Sequence, residues 1–199
     1  KKKPYAPMNI LIAINFIYLA LLLPIILLVV NRNIPNWKKS IGLFCLYFLL
    51  YKIALLIPIN IEWMQIDGLN WNWLGKILAI SFSLTFYHLF KQNLGQALFV
   101  NAKPQKEFIK SSIILLVVVS VISIMEGILF YNQKWDTETL LFQLTVHGID
   151  EEIAYRGIIL GLFSTFMSKQ ISFKKIVIHH PSVWIAGILF GLIHALQFD

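Results

Sequence analysis

The chain has 199 residues, 58% of them hydrophobic and only 14% charged, with a formal net charge of +7. A soluble domain must wet its surface and carries roughly 25% charged residues. The composition therefore excludes an ordinary soluble domain and places the chain in a lipid bilayer, its main partner. The positive charge could suggest nucleic acid, but the lysines and arginines fall mostly between apolar runs, where they read as topology signals and anionic-lipid contacts.

Taken in chain order, residues 1–8 begin with Lys1, Lys2 and Lys3 and read as a tail outside the fold. The first apolar run, about 9–30, is too long for a signal-peptide core and has no small-residue cleavage site after it, so it reads as an uncleaved anchor. Further runs follow at about 41–59, 73–89, 109–130, 140–163 and 181–198. Each approaches the roughly 20 residues that a helix needs to cross the hydrocarbon. The expected fold is all-α: a polytopic membrane helix bundle forming a single transmembrane domain over 1–199, with about six spans. The run at 73–89 is short and interrupted by polar residues. Cys45 lies inside a run, where it has no disulfide partner and reads as a packing residue.

The loops alternate in charge. Arg32, Lys38 and Lys39 mark the first, Lys91, Lys103 and Lys106 the third, and Lys169, Lys174 and Lys175 the fifth. The second carries Glu62 and Asp67, and the fourth only Lys134. Loops one, three and five are thus expected in the cytoplasm. Trp63, Trp71 and Trp73 suit an interfacial aromatic belt around the second loop.

The fifth run concentrates His147, Asp150, Glu151, Glu152 and Arg156. Charge inside a bilayer is costly and points to function. On a helix, Glu152 and Arg156 are i and i+4 with the acid first, the favourable order for an ion pair that neutralises a carboxylate in a dry place. Glu151 is turned about 100° away and stays available, with His147 and Tyr155 at i−4 and i+4 on its own face. An available carboxylate beside a histidine suits general-base work on water. The sixth run supplies His194. Glu151 lies 12 residues before Phe163, and His194 lies 13 after Pro181. An antiparallel pair would bring both to one level, roughly 18–20 Å from the shared loop. Gly157 and Gly161 in one run, and Gly187 and Gly191 in the other, give the small-residue spacing that lets membrane helices approach closely.

Glu151-Glu152-Ile153-Ala154-Tyr155-Arg156 matches EExxxR, and Phe190-Gly191-Leu192-Ile193-His194 matches FxxxH. In this order on successive apolar segments, they resemble the first two motifs of the CAAX protease and bacteriocin-processing (CPBP, or Abi) family. The resemblance covers about 140–199, the motif-bearing core. It implies a membrane-embedded endopeptidase, a multi-pass integral membrane protein whose substrate is a prenylated protein or a small peptide. It implies catalytic roles for Glu151 and His194, which would activate water, and supporting roles for Glu152, Arg156 and Phe190. The family's third motif, HxxxN or HxxxD, has no counterpart before Asp199, so further helices are expected beyond it. Direct glutamate chemistry without a cofactor is the expectation. Zinc held by Glu151 and His194 is the alternative, although no HExxH is present.

Blander readings stand beside these. His147 reads as a helix-packing partner, and Asp150 as a cap or water contact. Lys52, His88 and Glu126 read as snorkelling or paired residues, and His179 and His180 as an interfacial turn. The rival functions are a non-catalytic membrane protein of the same type (an immunity, assembly or regulatory factor with membrane-protein partners) and a small ion or proton carrier.

Overall fold

The computed structural model describes residues 8–94, 136–173 and 176–195, with Lys110, Ile113, Ile114, Val117, Val118, Val121 and Met125 between them. Most of the apolar run at 109–130, together with Lys103, Lys106, Glu126, Lys134 and the two ends of the chain, lies outside the described residues.

Helices α1 (Met8–Val29), α2 (Trp37–Asn60) and α3 (Trp73–Phe90) come first. A short turn of 3₁₀ helix, Glu62–Met64, lies in the loop between the last two. A continuous helical path over 137–166, here α4, carries the acidic cluster. An antiparallel hairpin of β1 (Gln170–Phe173) and β2 (Ile176–His179) leads into α5, Pro181–Ala195. The described chain is thus mostly helical, as its long apolar runs dictate, and the hairpin in the fifth loop is an addition to the all-α expectation.

Three of these helices are long and apolar enough to cross a membrane: α1, α2 and α3, extended to Asn93. That is fewer than the six spans expected, for separate reasons. In α4 the acidic cluster and Arg156 interrupt the apolar character, and α5 is described over only 15 residues, short of the roughly 20 a crossing needs. Pro24 and Pro58 sit inside α1 and α2, where membrane helices tolerate proline.

Phe44, Tyr47, Phe48 and Tyr51 recur at i, i+3, i+4 and i+7 on α2. They therefore share one face, and all four are buried. Phe44 meets Phe163 of α4 at 4.8 Å between ring centroids, and Tyr47 meets Phe86 of α3 at the same distance. Lipid tails are as apolar as these rings, so close packing and dispersion hold the face together, rather than expulsion of water. At one end, Asn31 N–H donates to the Phe166 carbonyl (2.9 Å) and Val30 bridges Met167. The first and fifth loops thus meet. At the other end, the second loop meets the start of α4.

That second contact is a clasp. Asp136 caps α4 by accepting from the Thr139 N–H at 2.7 Å. The Glu138 carboxylate accepts from the Asn70 and Trp71 backbone N–H groups and from the Trp73 indole at 2.9–3.1 Å. Slight burial pushes the Glu138 carboxyl up, but these donors outweigh it and hold the group below its ordinary value. Trp71 also donates to Thr139 Oγ1 and stacks on Phe142. Trp63 remains exposed, as a belt residue would. Trp71 and Trp73 are instead tied into the clasp, because the carboxylate offers their N–H groups a stronger partner than headgroups do.

Candidate functional site

Helix α4 is not regular. Gln143–His147 and Glu152–Ile159 are π-helical and flank the short α-helical stretch Gly148–Glu151. Such wide turns inside α-helices are frequent at functional sites. Here they deliver three successive acidic residues to three different settings.

Glu151 meets both histidines. Its Oε1 lies 3.1 Å from His147 Nε2 and 3.4 Å from His194 Nε2. The structure thereby brings together the two residues on which the chemistry was expected to rest, and adds His147, read from sequence as a packing residue. Proton positions follow from the partners. His194 Nδ1 lies 2.8 Å from the Phe190 carbonyl oxygen, which only accepts, so Nδ1 carries the hydrogen. A neutral His194 then turns a bare Nε2 lone pair towards Glu151. Two acceptors at that distance require a proton or a hydrogen-bond donor between them. His147 is the complement: its Nδ1 is buried without a partner among the described residues, so Nε2 carries the hydrogen and donates to the carboxylate. Phe190 packs its ring on His194 at 4.2 Å and its edge on Tyr155 at 5.2 Å, fixing the imidazole.

Asp150 is fully buried. Its Oδ2 accepts from the Tyr51 hydroxyl and from Lys76 Nζ, each at 2.7 Å, while Oδ1 has no partner among the described residues. Lys76 Nζ also stands 4.0 Å from Glu151 Oε1. The sequence reading of Asp150 as a cap or water contact is corrected here, since an uncompensated carboxylate at this depth would be prohibitively costly. Of the two readings of Lys52, snorkelling is not what the structure shows: the side chain lines a cavity with Lys76, His147 and Glu151, its Nζ over the rings of Phe48 (5.8 Å) and Tyr51 (5.6 Å). A signal for Lys76 was present: an acid in the middle of an apolar run demands a cation from another helix.

Glu152 and Arg156 pair at 3.2 Å between Oε1 and a terminal guanidinium nitrogen, but with 58% and 77% of their side chains exposed. The pair expected in the dry interior is thus open instead, on another side of the helix from Glu151's histidine partners, where it lines the cavity between α4 and α5. Gly187 and Gly191 are likewise not at a close helix contact: an added Cβ on either would meet nothing within 4 Å. Buried Ile185, Ala186, Leu189 and Ile193 make the inner face of α5 instead.

Two cavities adjoin Glu151 and Tyr155. One, about 500 Å³, is polar, with Lys52, Lys76, Gln143, His147 and His194 among its lining residues. The other, about 600 Å³, runs between α4 and α5 past Glu152, Arg156, Val183, Gly187 and Phe190. Glu151 is thus a wall residue of both. His147 and His194 converge on one Glu151 oxygen, and a metal ion bound there would share Glu151 with the Lys76 ammonium, 4.0 Å away.

No protein-family model, no curated protein and no solved structure gives a significant match to this chain.

Proposed function

We propose that the chain is a multi-pass membrane endopeptidase in which Glu151 is the general base. The observation that carries the reading is the convergence of two imidazoles on one Glu151 oxygen, 3.1 and 3.4 Å away, at the boundary of two cavities. The EExxxR and FxxxH motifs, with their resemblance to the CPBP family, support the same reaction. In this reading α4, α5 and the apolar run at 109–130 join α1, α2 and α3 as six membrane passes, with loops one, three and five in the cytoplasm.

The chemistry follows from the acceptor pair. Glu151 Oε1 and the lone pair of His194 Nε2 both want a hydrogen, and a water molecule supplies it. As the water oxygen attacks a peptide carbonyl carbon, its proton passes to Glu151 or His194. The same proton then goes to the leaving nitrogen, giving an amine and a carboxylic acid, which ionises by releasing the second water proton. His147 orients Glu151 through its Nε2–H, and Phe190 orients His194 through its carbonyl and ring. No metal is required. The apolar cavity beside Phe190 and Gly187 suits the apolar part of a prenylated or small hydrophobic peptide, with Glu152 and Arg156 at its wall.

The test is cleavage of a library of internally quenched peptides by the full-length protein in detergent. Glu151→Gln fills the same volume but cannot take a proton, so turnover should fall by about 10²-fold or more, with unchanged thermal unfolding. His194→Ala should act similarly, and strong chelators should leave the rate alone. Turnover by Glu151→Gln at the wild-type rate would remove Glu151 from the role of base.

A further inference from the structure

Hydrolysis by this route builds negative charge on the carbonyl oxygen, and neither Glu151 nor a neutral His194 acceptor can stabilise it. A donor must reach that oxygen. Among the described residues, Lys76 is the one lysine or arginine within 4.0 Å of Glu151. It comes from α3, outside the 140–199 stretch that carries the sequence motifs.

From this geometry we infer that Lys76 is a catalytic residue: the cation that binds the oxyanion of the tetrahedral intermediate. This rests on the reading of Glu151 as the base. Lys76 Nζ donates one hydrogen to Asp150 Oδ2 at 2.7 Å, and no other hydrogen-bond acceptor for it lies among the described residues. Two N–H bonds therefore remain for the chamber that it shares with Glu151, His147 and His194. The 4.0 Å gap to Glu151 Oε1 is too long for a direct hydrogen bond. It leaves room for the attacking hydroxyl against Glu151 and the oxyanion against Lys76, each at hydrogen-bond distance.

The ammonium is also held still. Asp150, the residue before the base, is fully buried and anchored by the Tyr51 hydroxyl. At the start of α3, Asn72 Oδ1 accepts from Gly75 N–H at 3.0 Å while its Nδ2 donates to the Leu55 carbonyl at 2.8 Å. A Cβ on Gly75 would collide with that side chain. A donor fixed before the reaction needs no reorganisation when charge appears, which is why such groups count for so much in a dry site.

In the step itself, the water oxygen bonds to the carbonyl carbon, and its proton moves to Glu151 or His194. The C=O π pair moves onto oxygen, where Lys76 receives it by hydrogen bond. When the pair returns, the C–N bond breaks and the stored proton passes to nitrogen. Lys76 keeps its own protons throughout.

The competing role is purely structural: Lys76 merely compensates Asp150. The double variant Lys76→Met/Asp150→Asn separates the two, because it removes both charges together. Its thermal unfolding in detergent should approach wild type. Its kcat on the cleaved peptide should fall by about 10²–10³-fold, while KM changes less than about threefold. If this pair does not fold, Lys76→Gln, which keeps a donor on Asp150, is measured in its place with the same readout. A folded variant with wild-type kcat overturns the assignment of Lys76 while Glu151-dependent cleavage still stands. A wild-type protein without Glu151-dependent cleavage overturns the reading of the site and this inference together.

Discussion

Two acid–cation pairs stand side by side on α4, Asp150 with Lys76 and Glu152 with Arg156. The second is local, one helical turn of sequence, and its side chains are 58% and 77% exposed. The first spans three helices through Tyr51, Asp150 and Lys76, and its side chains are 0% and 12% exposed for Asp150 and Lys76. The local pair is easy to read and energetically small. The cross-helix pair is hard to read, and the site is built on it. Enclosure decides between them: the outer pair stands open beside the cavity between α4 and α5, whereas protein surrounds the inner one, where the same Coulomb attraction is screened less.

Breaking the buried pair should have the largest effect. Asp150→Asn leaves Lys76 with only Glu151, 4.0 Å away, as counter-charge, and Lys76→Met leaves the fully buried Asp150 without its paired cation. Each should destabilise the protein by about 3–5 kcal/mol, read by chemical unfolding in detergent. The double variant should recover most of that loss, and additive losses would show that the two charges do not depend on each other. Tyr51→Phe sharpens the comparison without touching the ion pair. It removes one hydrogen bond to a buried carboxylate, and a loss of about 1.5–3 kcal/mol is expected. An unchanged unfolding midpoint would mean that Asp150 does not rely on the Tyr51 hydroxyl. The outer pair should matter least. Arg156→Ala is expected to cost about 0.3–0.5 kcal/mol, and a cost above about 2 kcal/mol would place the pair in a drier setting than its exposure indicates.

How legible the site was depends on the separation of its members. Glu151 and His194 could be placed at one level by counting residues from a shared loop, since the rise per residue is nearly constant along a helix. They lie 3.4 Å apart. His147 was visible as a neighbour of Glu151 at i−4, but its burial and its unpartnered Nδ1 were not. Lys76 and Tyr51 lie 74 and 99 residues from Asp150 in sequence, and nothing local to any of the three marks the contact. The expected close approach of Gly187 and Gly191 failed for a related reason: a spacing says which residues share a face, not what that face meets.

The sequence by itself determined that the described chain is built mainly from apolar helices, to within a few residues where five of them lie, and which positions carry charge that lipid cannot solvate. Those are one-dimensional properties: run length, composition and the 3.6-residue period. Only the tertiary structure decided which acid is buried, which cation meets it and which carboxylate stays open beside two imidazoles. Two π-helical stretches rotate the acidic residues out of regular phase, and inter-helix packing sets the depth of each. The side-chain partners that result lie beyond the reach of any local pattern.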